Sequence, residues 1–430
     1  MKTDIECKGH YNLAIMGAGA SGIAAALTVK KLAPQLSTGV FEKKERAARK
    51  LAATGNGRCN ISNSGCRDIE TVREFLEDAG IILRQESDGR LYPYCEDAQN
   101  VAELMIRQAA AAGAEILLNN DVKRVEADRK GGFLLFVEEK GIQKRYSADR
   151  LLIAAGGKSY PSMGTTGDGY AIARRLGHSV APLAPGLTAV CVRGSDAEEL
   201  RRLAGTRVKG SVRLFFEDKE LACETGELQF RRDSLSGICI MNLSNLIKPR
   251  RRAENGVGAE TRLSFEGYRI ELDMADGLSA DELKRYLRRI SQREGMSCAD
   301  MMRSLLKDKA AGAVLARLAL TEETEASTLD EVKLAAAADL IKAFSFEVEG
   351  LAGWKEAQVT CGGVSEDEVD PHTMESKLLP GLYFCGEVLD YAGPCGGYNL
   401  HHAWLTGLYA GRAIAERAAE LAPGQAANDK

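Results

Sequence analysis

The sequence predicts an α/β protein in which the two ends of the chain build a parallel sheet and the middle forms a separate insert. Strand-like apolar runs alternate with helix-like segments up to residue 186. From residue 187 the runs are separated by polar turns, and from residue 344 strands followed by glycine loops return. We therefore expect a first α/β part over 1–186, a β-rich insert over 187–276, a helical insert over 277–343 and a second α/β part over 344–430.

The composition excludes several classes of protein. The chain of 430 residues carries 57 Lys and Arg against 61 Asp and Glu, which argues against nucleic acid as a partner. No uninterrupted apolar run reaches about 18 residues and no secretory signal is recognisable, so we expect no membrane partner and a cytoplasmic location. The 11 cysteines include no Cys-x-x-Cys pair, which argues against a metal or iron–sulfur site.

The first part begins with a strand, a turn, a helix and a second strand. Residues 11–16 are apolar, residues 21–32 are rich in alanine, and Thr38–Glu42 is apolar up to its terminal acid. This alternation is typical of a parallel sheet. A helix-like segment at 100–112 and strand-like runs at 115–118, 133–137 and 151–155 continue the pattern.

The insert changes character along its length. Up to about residue 272 its strand-like runs have no comparable helix between them, which predicts an antiparallel or barrel-like arrangement. From residue 279 the pattern becomes helical. Ser279 with Glu282, and Thr328 with Glu331, each have the spacing of a capping box. A final helix is expected over about 399–421.

The clearest motif is Gly-x-Gly-x-x-Gly, formed by Gly17, Gly19 and Gly22 between a strand and a helix. The first glycine permits a tight turn, the second lets the backbone approach a pyrophosphate, and the third allows close helix packing. The N-terminus of the helix favours phosphate. Glu42 ends the next strand and is placed to accept hydrogen bonds from a ribose. The motif therefore indicates a dinucleotide, without separating NAD from FAD.

Three further segments carry glycines beside polar residues. Residues 50–60 are suited to a loop that holds an anion or a polar ring, or alternatively to a structural turn. Residues 151–169 join a strand to small residues that let the chain pass close to a nucleotide. Residues 382–400 repeat the order strand, acid, glycine loop and helix, which suits a second phosphate or the electron-rich edge of an isoalloxazine ring.

At these four places the sequence closely resembles the family of two-dinucleotide-binding-domain flavoproteins that includes YhiN-type proteins, aminoacetone oxidases and BaiN-type bile-acid reductases. The resemblance covers nearly the whole chain. It is carried most specifically by Thr54-Gly55-Asn56-Gly57-Arg58-Cys59-Asn60, by Gly156-Gly157-Lys158-Ser159-Tyr160-Pro161 with Thr166-Gly167-Asp168-Gly169, and by Gly386-Glu387-Val388-Leu389-Asp390 with Gly396-Gly397-Tyr398-Asn399.

The resemblance implies a Rossmann-like two-dinucleotide-binding-domain FAD fold with an inserted β-barrel-like plus helical module. It also implies FAD as the cofactor. Ala154-Ala155 stands where many relatives have Ala-Thr, a departure that removes one minor hydroxyl contact. The residues implied to hold FAD are Gly17, Gly19, Ala20, Ser21, Gly22, Glu42, Lys43, Lys50, Thr54, Gly55, Gly57, Arg58, Cys59, Asn60, Val122, Ala155, Gly156, Gly386, Glu387, Asp390, Gly397, Tyr398 and Asn399.

The activity implied first is that of an FAD-dependent oxidoreductase that uses NAD(P)H to reduce an activated C=C bond in a steroid-like enone, as in 3-dehydro-bile acid reduction. Tyr160, Tyr391 and His402 lie in or beside the motifs and are the candidate proton donors. No second complete glycine fingerprint is present, so NAD(P)H would dock only transiently. Two alternatives stay open: an amine or aminoacetone oxidase that releases peroxide, and a flavin-binding redox sensor without turnover.

Overall fold

The structure, a computed structural model, describes residues 7–128, 131–252 and 262–421. The chain divides into two compact units. The first runs up to Ala184 and resumes at Val359, and the second spans Pro185–Gln358. Within the described ranges, no helix combines the length and apolar character needed to cross a bilayer.

A seven-stranded sheet forms the centre of the first unit, in the order β6-β2-β1-β9-β8-β7, with β20 also pairing to β9. The strands β6, β2, β1, β9 and β20 run parallel to one another, whereas β7, β8 and the first half of β9 form an antiparallel meander. Their bounds are β1 Cys7–Met16, β2 Thr38–Glu42, β6 Glu115–Leu118, β7 Asn120–Ala127, β8 Phe133–Glu139, β9 Ile142–Ile153 and β20 Leu382–Phe384.

Burial on both faces explains why the parallel strands are continuous apolar runs. Leu13, Ile15 and Leu152 are completely buried, as expected for a parallel sheet covered by helices. The other strands of this unit are β3 Ser62–Asn63, β4 Leu83–Gln85 and β5 Arg90–Pro93, which form a small antiparallel sheet, and β19 Val359–Cys361. Strand β10, Ala184–Gly186, begins at Ala184 and continues into the second unit.

Two helices of the first unit pack closely because small residues line their contact. Helix α1 (Ala20–Leu32) faces helix α12 (Tyr398–Leu421). A Cβ atom on Gly407 of α12 would lie 2.4 Å from the backbone oxygen of Ser21, so the two backbones leave no room for a side chain. The remaining helices are α2 Arg49–Ala52, α3 Ile69–Asp78, α4 Ala98–Ala111 and α5 Asp168–Arg175.

The second unit contains a closed six-stranded barrel in the order β11-β14-β13-β12-β17-β18. Helices cover it, and they share one buried core with the barrel strands. The strands are β11 Val190–Val192, β12 Arg207–Phe216, β13 Lys219–Phe230, β14 Ser234–Ser236, β15 Arg250–Arg252, β16 Arg262–Ser264, β17 Tyr268–Asp273 and β18 Phe344–Leu351. The helices are α6 Gly194–Leu203, α7 Ile238–Ser244, α8 Ala280–Ser291, α9 Cys298–Arg303, α10 Asp308–Arg317 and α11 Glu331–Lys342.

The α/β fold class with a barrel-like and helical insert is confirmed, but the structure places the insert's end later than expected. Strand β18 begins at Phe344, the residue assigned above to the second α/β part, and pairs with β17 and β11 to close the barrel. The two insert segments form one unit rather than two. Helices α6 and α7 also lie where no comparable helix was expected.

One capping box is confirmed and the other is wrong. The Ser279 hydroxyl accepts a hydrogen bond from the Glu282 amide, and the Glu282 carboxylate accepts one from the Ser279 amide. Helix α11 is instead capped by Asp330, the residue before its first turn, whose carboxylate accepts from the Lys333 amide at 2.8 Å. Thr328 lies in the preceding 3-10 turn, because the carboxylate directly before the helix reaches the free amides first.

Candidate functional site

The four glycine-containing segments meet at one edge of the parallel sheet. Met16 of β1 pairs with Ile153 of β9, and Ile153 pairs with Phe384 of β20. Three strands therefore end side by side, and the glycine loops that follow them start from neighbouring positions. This is the edge at which ligands bind in open α/β sheets.

The glycines of the first loop have different roles. A Cβ on Gly17, whose φ is +106°, would lie 2.5 Å from the backbone oxygen of Ala154, and one on Gly22 would lie 2.1 Å from that of Gly17. These two glycines are therefore required by the fold. A Cβ on Gly19 would meet no atom of the described residues within 4 Å, so the position beside the start of α1 leaves space for a ligand.

Glu42 lies at the end of β2 and is tied to the first loop. Its carboxylate accepts hydrogen bonds from the amide of Ala18 at 3.2 Å and from the amide of Lys44 at 2.9 Å. Burial raises the pKa of Glu42, although these amides oppose the rise. Glu42 thus organises the loop and leaves its remaining lone pairs for a ribose hydroxyl.

The start of α1 contacts the last of the four segments. Ser21, which follows Ala20 at the first turn, is buried, and its hydroxyl lies 3.5 Å from the carbonyl of Cys385. A Cβ on Gly386 would approach the Ser21 hydroxyl to 2.5 Å. The helix carries no side-chain cap at its N-terminus, so its first amides are available to an anion.

The loop 54–60 folds tightly upon itself. Gly55 and Asn56 have left-handed backbone conformations, the Thr54 hydroxyl donates to the Leu51 carbonyl at 2.7 Å, and the Cys59 side chain is buried. Burial raises the pKa of the Cys59 thiol to about 12. The thiol is therefore a packing group within a structural turn.

Arg58 does not have a free guanidinium. It contacts Glu96 at 2.9 Å and Glu86 at 2.7 Å, and it stacks over the ring of Tyr92 at 4.3 Å. Its neighbour Gly57 has a positive φ of +89° and open space where a Cβ would lie. The backbone beside Arg58, rather than its charge, is therefore the part available to a ligand.

The second and fourth segments pack directly against each other. A Cβ on Gly397 would lie 2.2 Å from the Ser62 backbone oxygen. The amide of Asn60, oriented to satisfy its surroundings, donates to that oxygen at 3.1 Å and accepts from the Gly397 amide at 3.2 Å. Across the same contact, the hydroxyl of Tyr398 approaches Gly65.

Asn399 uses its side chain within its own loop. Its amide oxygen accepts from the Gly393 amide at 2.9 Å, and its amide nitrogen donates to the Gly393 carbonyl at 2.8 Å. Asn399 therefore fixes the glycine loop before α12. Asp390, which begins this loop, has an exposed side chain while its amide donates to the carbonyl of Val364.

A half-buried polar cluster joins three of the segments. The Lys50 ammonium lies 2.6 Å from Glu387 and 2.6 Å from the Ser159 hydroxyl. Glu387 also accepts from that hydroxyl and from the amide of Thr360, both at 2.9 Å. The structure thus brings Lys50 and Glu387 together, and their charges pair with each other.

Lys43 forms a second link across the site. Its ammonium lies 2.5 Å from Asp168 and 2.6 Å from the Thr166 hydroxyl, which brings the chain after β2 against the turn before α5. Ala155 and Gly156 lie in the same region; a Cβ on Gly156, at φ +69°, would approach Thr165 to 2.9 Å.

Val122 lies outside the four segments, whereas Tyr160 lies within the third. The Val122 side chain is buried in β7, where Val122 pairs with Val137 next to a bulge. Tyr160 has a left-handed backbone conformation at the start of a 3-10 turn. Its carbonyl accepts from the Thr165 hydroxyl at 3.1 Å.

Tyr391 and His402 form a stacked pair, with ring centroids 4.0 Å apart and planes 13° apart. Burial raises the pKa of Tyr391 and lowers that of His402 to about 3. His402 is therefore neutral near pH 7 and does not supply the imidazolium proton that the sequence suggested. Its Nε2 atom is buried and has no hydrogen-bond partner among the described residues.

Several residues that shape the site were not singled out from the sequence. Thr360 belongs to no motif, yet its hydroxyl accepts from the Lys158 and Ser159 amides. Thr406 accepts from the Gly386 amide at 2.9 Å. The amides that Thr360 binds lie 202 and 201 residues earlier in the chain, and the Gly386 amide lies 20 residues before Thr406, so no local pattern marks either threonine.

The site fits a dinucleotide such as FAD. The uncapped start of α1 and the open space at Gly19 suit a pyrophosphate, and Glu42 is positioned for a ribose. The unpartnered Nε2 of His402 shows that a buried polar atom next to the fourth segment lacks a partner within the described chain. Among the described residues, no group of three or more His, Cys, Asp or Glu could hold a metal ion.

Comparison with known proteins adds one family and three relatives. The model of the HI0933-like protein Rossmann domain matches residues 67–413. A 3-dehydro-bile acid delta(4,6)-reductase of Clostridium scindens is 31% identical over 94% of this chain and 99% of its own length. Ribosomal RNA dihydrouridine synthases of Haemophilus influenzae and Escherichia coli are each 26% identical, over 91% and 92% of this chain and 95% and 96% of their own lengths.

Proposed function

The chain belongs to the HI0933-like Rossmann-domain family of flavin-dependent oxidoreductases, and from this premise we propose that it uses NAD(P)H to reduce a C=C bond conjugated to a carbonyl in a steroid-like enone. The observation that carries the proposal is the convergence of the four segments around the open position at Gly19. The relative named for a 3-dehydro-bile acid supports the steroid-like substrate.

FAD, when bound, supplies a two-electron carrier between the nicotinamide and the substrate. The overall reaction adds a hydride at the β-carbon and a proton at the α-carbon, so the double bond becomes a single bond as NAD(P)H becomes NAD(P)⁺. The chain's own residues bind the dinucleotide at the start of α1, position the loops through Lys50 and Glu387, and hold the proton.

We assign the proton to the Tyr391 hydroxyl. Burial raises the pKa of this phenol, so it remains protonated near pH 7 and can donate to the α-carbon. His402 stays neutral and stacks on the Tyr391 ring, which makes it a positioning residue. Tyr160 is the alternative donor.

The cytoplasmic location stays a prediction.

The experiment compares NADH and NADPH as donors to the purified flavoprotein without air. We expect the visible flavin absorbance to fall with a nicotinamide and to return when an enone such as a 3-oxo-4-ene steroid acid is added, with formation of the saturated ketone. Bleaching by an amine with peroxide release would instead support the oxidase. Failure of every donor to bleach the flavin would support the redox sensor.

A second candidate substrate is uridine in ribosomal RNA, supported by the two relatives that are named as dihydrouridine synthases. Dihydrouridine also arises by addition of a hydride and a proton across a C=C bond next to a carbonyl, so the same site chemistry serves both. Incubation with NADPH and ribosomal RNA, followed by mass spectrometry of the nucleosides, distinguishes RNA from the steroid-like enone as the substrate. A mass gain of two hydrogens on uridine without any reduction of the enone would favour RNA.

A further inference from the structure

An unpaired arginine lies beside the stacked pair of Tyr391 and His402. Arg67 is exposed, and among the described residues its guanidinium forms no ion pair. The other arginines of the surrounding segment are all paired with carboxylates: Arg58 with Glu86 and Glu96, Arg73 with Glu70, Arg84 with Glu96, and Arg90 with Asp88. Arg67 is therefore an exception within its own neighbourhood.

The backbone of Arg67 is held firmly against helix α12. Its carbonyl accepts a hydrogen bond from His401 Nε2 at 2.8 Å, and His401 Nδ1 lies 2.8 Å from the Ser62 hydroxyl. The next residue, Asp68, accepts from the Tyr409 hydroxyl at 2.7 Å. His401 thus anchors the backbone of Arg67 and Tyr409 holds the side chain of Asp68, whereas no described residue forms an ion pair with the Arg67 guanidinium.

The hydrogen bond from His401 places the backbone of Arg67 next to the stacked pair that includes the candidate proton donor. His401, which binds its carbonyl, is adjacent in sequence to His402, whose ring stacks on Tyr391. Burial raises the pKa of Tyr391, and the positive charge of Arg67 opposes that rise. The same charge lowers the pKa of Glu366, against a larger effect of burial. Arg67 is therefore close enough to act on groups around the Tyr391 hydroxyl.

Resting on the function proposed above, we infer that Arg67 binds a carboxylate carried by the enone substrate and so selects acidic enones over neutral ones. A planar guanidinium with a free edge matches a carboxylate through two parallel hydrogen bonds. Because the backbone is anchored, less conformational freedom is lost on binding than at a mobile arginine. The carboxylate would orient the double bond toward Tyr391.

The test compares an acidic enone, 3-oxo-4-cholenoic acid, with its methyl ester in the flavin-loaded protein. In the wild type we expect a lower KM for the acid. Arg67→Gln should raise the KM for the acid by about 10- to 100-fold, the value for one charge-assisted pair of about 1.5–3 kcal/mol. It should leave the KM for the ester nearly unchanged, and the KM of Arg67→Lys for the acid should fall between those of the wild type and Arg67→Gln.

Arg412→Gln is the matched control. Arg412 is exposed on the same helix, ten residues beyond His402 and thus about 15 Å along its axis. The Arg412→Gln substitution removes one positive charge outside the site, so we expect it to leave the KM for the acid and the KM for the ester unchanged. If Arg412→Gln and Arg67→Gln changed the KM for the acid equally, the effect would come from net charge alone, and the inference would be overturned.

The outcomes separate the inference from the proposed function. If acid and ester are both reduced with equal KM values in the wild type and in Arg67→Gln, the function stands and the role of Arg67 is refuted. If neither compound reoxidises the flavin, the proposed function fails and the inference with it. If only RNA is reduced and Arg67→Gln weakens that reaction, Arg67 contacts phosphate and the carboxylate assignment is wrong.

Discussion

The ring of His402 lies flat against the ring of Tyr391, at a centroid distance of 4.0 Å, at the start of the last helix. One ring is an imidazole that burial keeps neutral, and the other is a phenol that burial keeps protonated. Their stacking joins a residue of the glycine loop to a residue of α12. It therefore fixes the phenol beside the segments proposed to hold FAD.

Replacing Tyr391 by Phe tests the assignment of the proton donor. The variant keeps the stacked ring and loses only the hydroxyl, so we expect the reduction of the enone to slow by about 100- to 10,000-fold. The rate at which NAD(P)H bleaches the flavin should be unchanged, because that step needs no proton from Tyr391. Stopped-flow absorbance separates the two rates. Tyr160→Phe is the control, and a larger loss there would transfer the role to Tyr160.

Replacing His402 by Phe tests its neutral state through the dependence of stability on pH. The folded pKa of about 3 lies below the usual value of 6.5, so between these values the unfolded chain binds more protons and stability falls as the pH falls. On going from about pH 7.5 to about pH 5, the wild type should lose roughly 2 kcal/mol more in free energy of unfolding than His402→Phe. Urea titrations at both pH values measure this difference. Equal losses in both proteins would mean that His402 titrates normally.

Replacing Gly19 by Val tests the proposed position of the pyrophosphate. The added Cβ enters space in which no atom of the described chain lies within 4 Å, so the fold should persist. FAD should bind at least about 100-fold more weakly, because a side chain that overlaps the ligand costs about 3 kcal/mol of binding free energy. Flavin content after purification and circular dichroism report binding and fold separately. Gly353→Val is the control, because Gly353 is exposed and also has open space where a Cβ would lie, and this variant should keep its full flavin content.

Replacing Lys50 by Met and Glu387 by Gln, singly and together, tests the polar cluster. Lys50→Met leaves the half-buried Glu387 carboxylate without its counter-charge, so we expect a loss of about 1–3 kcal/mol in free energy of unfolding. The double variant should recover part of that loss, because no unpaired charge remains. Denaturant titrations of the three variants give the coupling energy. Strictly additive losses would show that the two side chains do not stabilise each other.

The sequence predicted the elements whose signals are local. The order of strands and helices around Gly17, the capping box at Ser279 and the last helix all depend on neighbours within a few residues, as periodicity and helix capping do. Strand β18 also has a local signal, because every second residue is apolar and buried: Phe344, Phe346 and Val348. Its membership of the barrel does not follow from that pattern, because it depends on pairing with β11, far away in the chain.

The sequence alone also determined that glycine loops and an acid would lie at the ends of parallel strands, since the strand and helix periods fix where each loop begins. Only the tertiary structure decided which side chains remain free for a ligand. Arg58 and Glu387 resemble ligand-binding residues in the sequence, yet in the structure each forms an ion pair with a residue from another part of the chain. His402 resembles a proton donor, yet burial makes it neutral. Pairing and desolvation arise from residues brought together by folding, and no local pattern encodes them.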